Sequence, residues 1–226
     1  MTADPSPGLD GAWRAKLETV LALLAEERAS VSSVVDERAW RVHVGDSLTG
    51  LEVPDLRAAG RIADVGAGAG FPGLVLAVAL PEARVDLVES VGRKCEFMRR
   101  AIAAAGIPNA SVLNARSEDL ASGEGREAYE AVTARAVGRL STLAELASPL
   151  LKPNGVLVAW KGRRDPGEEE QLENAAESLA MRAEQILDVG NRAGSQHRHL
   201  HVIRKTGPTP DNLPRNPGMA KKRPKG

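Results

Sequence analysis

The 226-residue chain has one cysteine, no net charge and no long apolar run. Cys95 alone cannot make an internal disulfide or a cysteine-rich zinc site, and a single thiol fits a reducing compartment. No stretch approaches the ~20 apolar residues a membrane span needs. Residues 1–9 lack a basic patch followed by an apolar run, so no secretory signal is expected and the expected compartment is the cytoplasm. Thirty Lys plus Arg balance thirty Asp plus Glu, which as an average argues against a chain made mainly to coat nucleic acid or an anionic membrane. What is present, 42% hydrophobic residues, suffices for one well-buried domain with a small appendage.

The average conceals a segregation. Residues 1–164 hold 20 basic and 21 acidic side chains, whereas 165–190 hold eight acids against the single base Arg182. Residues 191–226 hold nine bases against one acid, Asp211. The zero is therefore a sum of opposed blocks, with the basic one at the C-terminal end.

The first 60 residues read as a helical extension. Trp13, Leu17, Val20, Leu21 and Leu24 recur at three- and four-residue spacing, which stacks them on one helix face, with Asp10 as a plausible N-cap. A second helical stretch is expected from about Asp36 to Leu51, stopped by Pro54. From Arg61 the texture alternates. Strands are expected at Ile62–Val65, Arg84–Val88, Ser111–Leu113, Glu130–Arg135, Val156–Trp160 and His199–Arg204. Helices are expected at Leu74–Leu80, Arg93–Ala105, Arg139–Leu151 and Glu168–Ala183, with a Lys152–Gly155 turn. That alternation implies a mostly parallel sheet with right-handed crossovers over residues 61–205. The Pro- and Gly-rich residues 206–226 form a basic tail, expected to be mobile or docked.

The segment Asp64-Val65-Gly66-Ala67-Gly68-Ala69-Gly70-Phe71-Pro72-Gly73 ends a strand and opens a helix, the context in which a glycine-rich loop can bind a ligand. Glycine lets the backbone turn sharply and lets a ligand approach closely, and the helix start offers unpaired N–H groups. Glu89 ends the next strand, where a carboxylate can accept both hydroxyls of a ribose. Two cofactors compete for such a loop. Gly68-x-Gly70-x-x-Gly73 matches a nicotinamide dinucleotide fingerprint, whereas Asp64-x-Gly66-x-Gly68-x-Gly70 is the pattern of S-adenosylmethionine (SAM) methyltransferases. Asp64 favours SAM, because an acid repels a pyrophosphate and attracts an ammonium and a sulfonium. A glycine turn serving only packing is the bland alternative.

Several separated segments resemble the RsmG (GidB) family, the bacterial 16S ribosomal RNA guanine-N7 methyltransferases. They are the His43-x-x-Asp46-Ser47-Leu48 block, the glycine loop ending in Phe71-Pro72-Gly73, Val88-Glu89-Ser90-x-x-x-Lys94-x-x-Phe97, Thr133-Ala134-Arg135-Ala136, Ala159-Trp160-Lys161-Gly162 and Pro214-Arg215. The resemblance spans roughly residues 12–217. Two departures stand out: Val31-Ser32-Ser33-Val34 replaces the family's usual asparagine-leucine-threonine text, and Ala67 stands where serine or threonine is common.

The resemblance implies a Rossmann-like class I SAM-dependent methyltransferase fold with helices on both faces of the sheet. It implies methyl transfer from SAM to N7 of a specific guanine in 16S rRNA of the small subunit, with no metal, membrane or DNA partner, and a monomer is expected. Gly66, Phe71, Ser117, Glu118 and Arg135 are implied cofactor contacts, joining Asp64, Gly68, Gly70 and Glu89 from the loop and strand reading. Guanine N7 has an in-plane lone pair and no proton, so no catalytic base is assigned. Arg135, Lys161 and His43 are positioning candidates, and Arg93, Lys94, Arg116, Lys161 and Arg215 are RNA-binding candidates. Each has a plainer reading: Glu118 as a first-turn acid, His43 as a packing residue, the cations and the tail as solubilising charge, and the tryptophans as core, with only Trp160 a stacking candidate. The acidic helix is expected to face away from RNA or toward a basic ribosomal protein. A nicotinamide oxidoreductase, a SAM enzyme with a small-molecule or protein substrate, and a non-catalytic binding module that retains the loop stay open as alternatives.

Overall fold

The computed structural model describes residues 11–27, 32, 34–36, 38–190 and 197–226. Strands β1 (Arg61–Val65), β2 (Arg84–Glu89), β3 (Ala110–Asn114), β4 (Tyr129–Arg135), β5 (Leu151–Lys161), β6 (Met181–Asp188) and β7 (His199–Lys205) form one sheet in the order β3-β2-β1-β4-β5-β7-β6. The first five pair in parallel, and β7 runs antiparallel between β5 and β6.

The inner strands read as apolar runs because both of their faces are covered. Along β5, Val156, Val158 and Trp160 enter one core while Leu157 and Ala159 enter the other. Helices α1 (Gly11–Glu26), α4 (Gly73–Ala79) and α5 (Gly92–Ala105) cover the first face, contributing Leu17, Leu74 and Phe97. Helices α6 (Ser117–Ala121), α7 (Leu140–Ala147) and α8 (Pro166–Ala175) cover the second with Ala121, Leu143 and Leu172. The expected α/β fold, a mostly parallel sheet between two helical layers, is what the chain adopts.

Before β1, a π-helical turn (Trp40–Gly45) runs into α2 (Asp46–Leu48), a 3-10 turn (Thr49–Glu52) and α3 (Pro54–Ala58). Pro54 ends the stretch expected to stop there and also opens α3, as its missing donor permits. Asp10, the expected cap of α1, and residues 31 and 33 of the departing segment lie outside the described residues.

Three expectations need correction. The helix expected over Arg139–Leu151 ends at Ala147, and Leu151 already pairs with Tyr129 as the first residue of β5. The helix expected over Glu168–Ala183 ends at Ala175, and a strand, β6, follows. Ala180 adopts a left-handed φ of +49° while the Met181 N–H donates to the Ala176 carbonyl, which turns the chain into the sheet. Residues 182–185 are exposed and polar or small, so the apolar signal of this edge strand is interrupted between Met181 and Ile186. The expected Lys152–Gly155 turn sits inside β5 as an irregularity: pairing with β4 skips from Tyr129↔Leu151 to Ala131↔Val156.

The basic tail is docked. Lys205, fully buried, donates to Glu127 Oε1 (2.9 Å), the Ser148 and Leu151 carbonyls (2.8 and 2.7 Å) and Thr209 Oγ1 (2.6 Å). Hydrogen bonds from Lys205 and Thr209 hold the Glu127 carboxyl down at about 2. The tail then ends in the short helix α9 (Met219–Lys222), packed on α7.

Candidate cofactor site

The order of the sheet reverses between β1 and β4, and in open α/β sheets the ligand crevice lies outside the carboxyl ends of the strands at such a point. A cavity of about 430 Å³ opens there, within the size range of small-molecule sites. Its walls include Gly66 after β1, Glu89 at the end of β2, Arg116, Ser117 and Glu118 after β3, and Val137 after β4.

The loop conformation requires glycine at position 66. Its φ is +69°, and a Cβ there would meet Val137 Cγ2 at 2.7 Å. Glu89 is held with its carboxylate at the cavity: Oε2 accepts the Gly68 N–H (3.1 Å) and Oε1 the Val91 N–H (2.9 Å). Glu118 is positioned similarly, with Oε2 accepting from Ser117 Oγ at 3.1 Å and Oε1 from the Gly218 N–H at 2.7 Å.

Asp64 does not face the cavity. It is fully buried, with Oδ2 accepting the Gly73 N–H (2.9 Å) and Oδ1 accepting from Thr133 Oγ1 (2.9 Å). The expected attraction to a ligand cation thus gives way to a bracing role: this acid ties the start of α4 to β4 and so fixes the loop between them. Burial pushes its carboxyl up to about 6, against the lowering effect of both hydrogen bonds. An acid whose pKa is higher in the fold than in the unfolded chain favours folding when protonated. Its contribution is complete below about pH 4 and is lost as pH rises through 6, amounting to about 3 kcal/mol. Denaturant unfolding at about pH 4 and about pH 7 is therefore expected to show Asp64→Asn gaining on the unaltered chain as pH rises. Parallel stabilities of the two proteins would contradict this.

Phe71, His43 and Arg135 cluster behind the loop instead of lining the cavity. The rings of His43 and Phe71 stack at 4.6 Å and 14°, and the Arg135 guanidinium sits 5.8 Å from the Phe71 centroid. Arg135 donates to the Val42 carbonyl (3.0 Å) and to Asp46 Oδ2 (2.9 Å), and lies 3.3 Å from His43 Nδ1. His43 Nε2 is 2.9 Å from the Val34 carbonyl, which assigns the proton to Nε2 and leaves Nδ1 to accept from Arg135. Burial lowers the pKa of His43, in keeping with that neutral tautomer.

Asp46, 2% exposed, is the hub of this cluster. Arg198 Nε, at the approach to β7, lies 2.8 Å from its Oδ1, close enough for an ion pair though off the line of a hydrogen bond. The Asp46 carbonyl accepts from Trp160 Nε1 at 2.9 Å. Trp160 is therefore a buried tie between β5 and α2, not a stacking platform. Asp46 entered the sequence reading only as part of the His43-x-x-Asp46 block and was given no role, although that i+3 spacing puts both residues on one face of a helical turn.

The remaining candidates separate by environment. Arg93 and Arg116 are exposed and Lys94 is half-buried; Arg93 and Lys94 lie in the first turn of α5, immediately after β2. Lys161 Nζ is engaged by Glu168 Oε1 and the Gly138 carbonyl, both at 2.9 Å. Arg215 forks onto Glu145 at 2.5 and 2.6 Å, so its charge is spent pinning the tail to α7. Sequence reasoning missed Val137 and Thr142 as cavity residues, along with Gly218, Ala220, Lys221 and Lys222 of the tail.

The family model for GidB, rRNA small subunit methyltransferase G, matches residues 16–200. A ribosomal RNA small subunit methyltransferase G of Rubrobacter xylanophilus is 42% identical over 92% of this chain and 81% of its own length. The protein of the same name from Pelotomaculum thermopropionicum is 38% identical over 92% of this chain and 89% of its own. The chain belongs to the rRNA small subunit methyltransferase G family. Among solved structures, a SAM-dependent methyltransferase from Aquifex aeolicus superposes with a TM-score of 0.55 at 16% identity, covering 76% of this chain and 94% of that one. That likeness carries the fold. Membership in the methyltransferase G family makes the chain a methyltransferase, and the nicotinamide oxidoreductase reading of its glycine loop is not favoured.

Proposed function

We propose that the protein transfers a methyl group from SAM to N7 of a specific guanine in 16S rRNA, acting as a cytoplasmic monomer on the small subunit or its RNA and not on DNA. The observation that carries the reading is Glu89: its carboxylate is preset at the mouth of the glycine loop, in a cavity shared with Ser117 and Glu118, in a member of the methyltransferase G family. The cavity suits the cofactor chemically. Gly66 offers backbone without a side chain, Glu89 offers paired acceptors for ribose hydroxyls, and Glu118 offers an acceptor for the adenine amino group.

SAM, when bound, supplies an electrophilic methyl group on a sulfonium. The protein's part is placement. Asp64 and Thr133 fix the glycine loop from behind, and the His43–Phe71–Arg135 cluster fixes its far side. Because guanine N7 needs no deprotonation, alignment of N7 with the methyl group does the work, and such positioning removes roughly 7–11 kcal/mol of barrier at best. Arg93, Lys94 and Arg116, at the same strand ends, serve RNA phosphates, which orient the substrate without reading its sequence. Lys161 and Arg215, already paired with acids, contribute mainly by holding β5 and the tail in place.

Mapping 7-methylguanine in 16S rRNA from cells with and without the protein tests substrate and chemistry together. One modified guanine is expected to disappear when the protein is absent. Unchanged 7-methylguanine would overturn the assignment, and a nicotinamide heat in calorimetry without a SAM heat would overturn the cofactor.

A further inference from the structure

We infer that the C-terminal segment Gly218–Lys222 is a wall of the adenosyl end of the cofactor pocket, and thus part of the SAM site as well as a basic tail. The inference rests on the proposed use of the cavity by SAM. Gly218, Ala220, Lys221 and Lys222 line the same cavity as Glu89 and Glu118. The contact that joins wall to pocket is the Gly218 N–H, which donates to Glu118 Oε1 at 2.7 Å. A carboxylate accepts about four hydrogen bonds, so Glu118, already taking one each from Gly218 and Ser117, keeps lone pairs for a ligand amino group while losing its freedom to rotate. Gly218 is thereby a positioning residue for the adenine acceptor.

The wall is built, not draped. Ala220 is 3% exposed, and its carbonyl accepts from Thr142 Oγ1, itself a cavity residue on α7, at 3.3 Å. Arg215 grips Glu145 with its fork and also donates to the Arg223 carbonyl at 2.7 Å, which ties the two ends of the segment together. Upstream, Leu213 is buried and its carbonyl accepts from Arg126 at 2.9 Å. The segment is thus fixed at both ends, between α7 and the cavity that it lines. Lys221 and Lys222 are exposed at the rim beside Arg116. One segment therefore serves the cofactor through its backbone and offers cations to RNA through its side chains.

Calorimetric titration of three altered chains with SAM, S-adenosylhomocysteine and 5′-methylthioadenosine tests this. A chain ending at Pro217 is expected to bind all three ligands at least ~10-fold more weakly than the full chain. Methylthioadenosine should lose the same factor as SAM, since it retains only the adenosyl half that the wall touches. Gly218→Pro removes the N–H donor and forbids the observed φ of +83°, and is expected to reproduce the loss without shortening the chain. A chain ending at Arg223 keeps the wall and is expected to bind within about twofold of the full chain. Thermal melts accompany each titration. If the Pro217 chain melts early, the Gly218→Pro protein decides. Unchanged affinity in a folded Pro217 chain or in Gly218→Pro, with the full chain binding SAM, overturns the wall alone. Failure of the full chain to bind SAM overturns the cofactor reading and the wall with it.

Discussion

Glu89→Ala is expected to weaken SAM binding by about 100-fold or more, the largest loss of affinity from any single side chain in the pocket. A carboxylate receiving two ribose hydroxyls makes two charge-assisted hydrogen bonds, each contributing about 1.5–3 kcal/mol. The same carboxylate braces the Gly68 and Val91 N–H groups, so its removal also frees the loop that shapes the pocket. Glu89→Gln keeps the size and one acceptor, and should fall between the two. Lys161→Ala is the contrasting case. Its ammonium is tied to Glu168 and Gly138 and lines no part of the cavity, so its SAM affinity should move by less than about threefold. Calorimetry on the three variants orders them. Lys161→Ala losing more than Glu89→Ala would mean that the pocket has been placed on the wrong groups.

The largest effect on stability is expected at Asp46. Replacement with Ala leaves Arg135, 13% exposed in its side chain, and Arg198, 24% exposed, without their common counter-charge. Breaking a buried pair in this way costs about 3–5 kcal/mol, which in a chain of this size corresponds to a melting temperature lower by roughly 6–20 °C. Adding Arg135→Ala to Asp46→Ala should cost less than the two single losses combined, because the second substitution removes a charge that the first has stranded. Strictly additive melting shifts would show that the two groups are not coupled.

The sheet was legible because its inner parallel strands are covered on both faces, and such strands write apolar runs into the sequence. Ile62–Val65 and Val156–Trp160 can hardly be anything else. β6 was not, since only Met181 at its start is fully buried, Leu187 is partly buried, and the rest of the strand is held mainly by pairing with β7. The same division holds in the site. Gly66 and Glu89 could be recognised because the loop and the strand end are local features of one βαβ unit. Asp64 was read as facing a ligand cation, because a sequence does not show that both of its oxygens are engaged by Gly73 and Thr133. The cavity wall at Gly218 meets Glu118 across one hundred residues, a distance over which no spacing rule operates.

The position of β6 gives the acidic block a use beyond balancing the tail. Among the described residues β6 pairs on one side only, with β7, which makes it an edge of the sheet where a strand of another molecule can add. Arg182, Glu184 and Asp188 stand on that edge strand, exposed, with Glu184 anchored by the Arg204 guanidinium at 2.6 Å. A second chain approaching in register would bring like charges together and strip their water. Glu184 and Asp188, two of the eight acids of residues 165–190, thus put charge on the strand edge, a placement that disfavours edge-to-edge pairing with a neighbouring molecule.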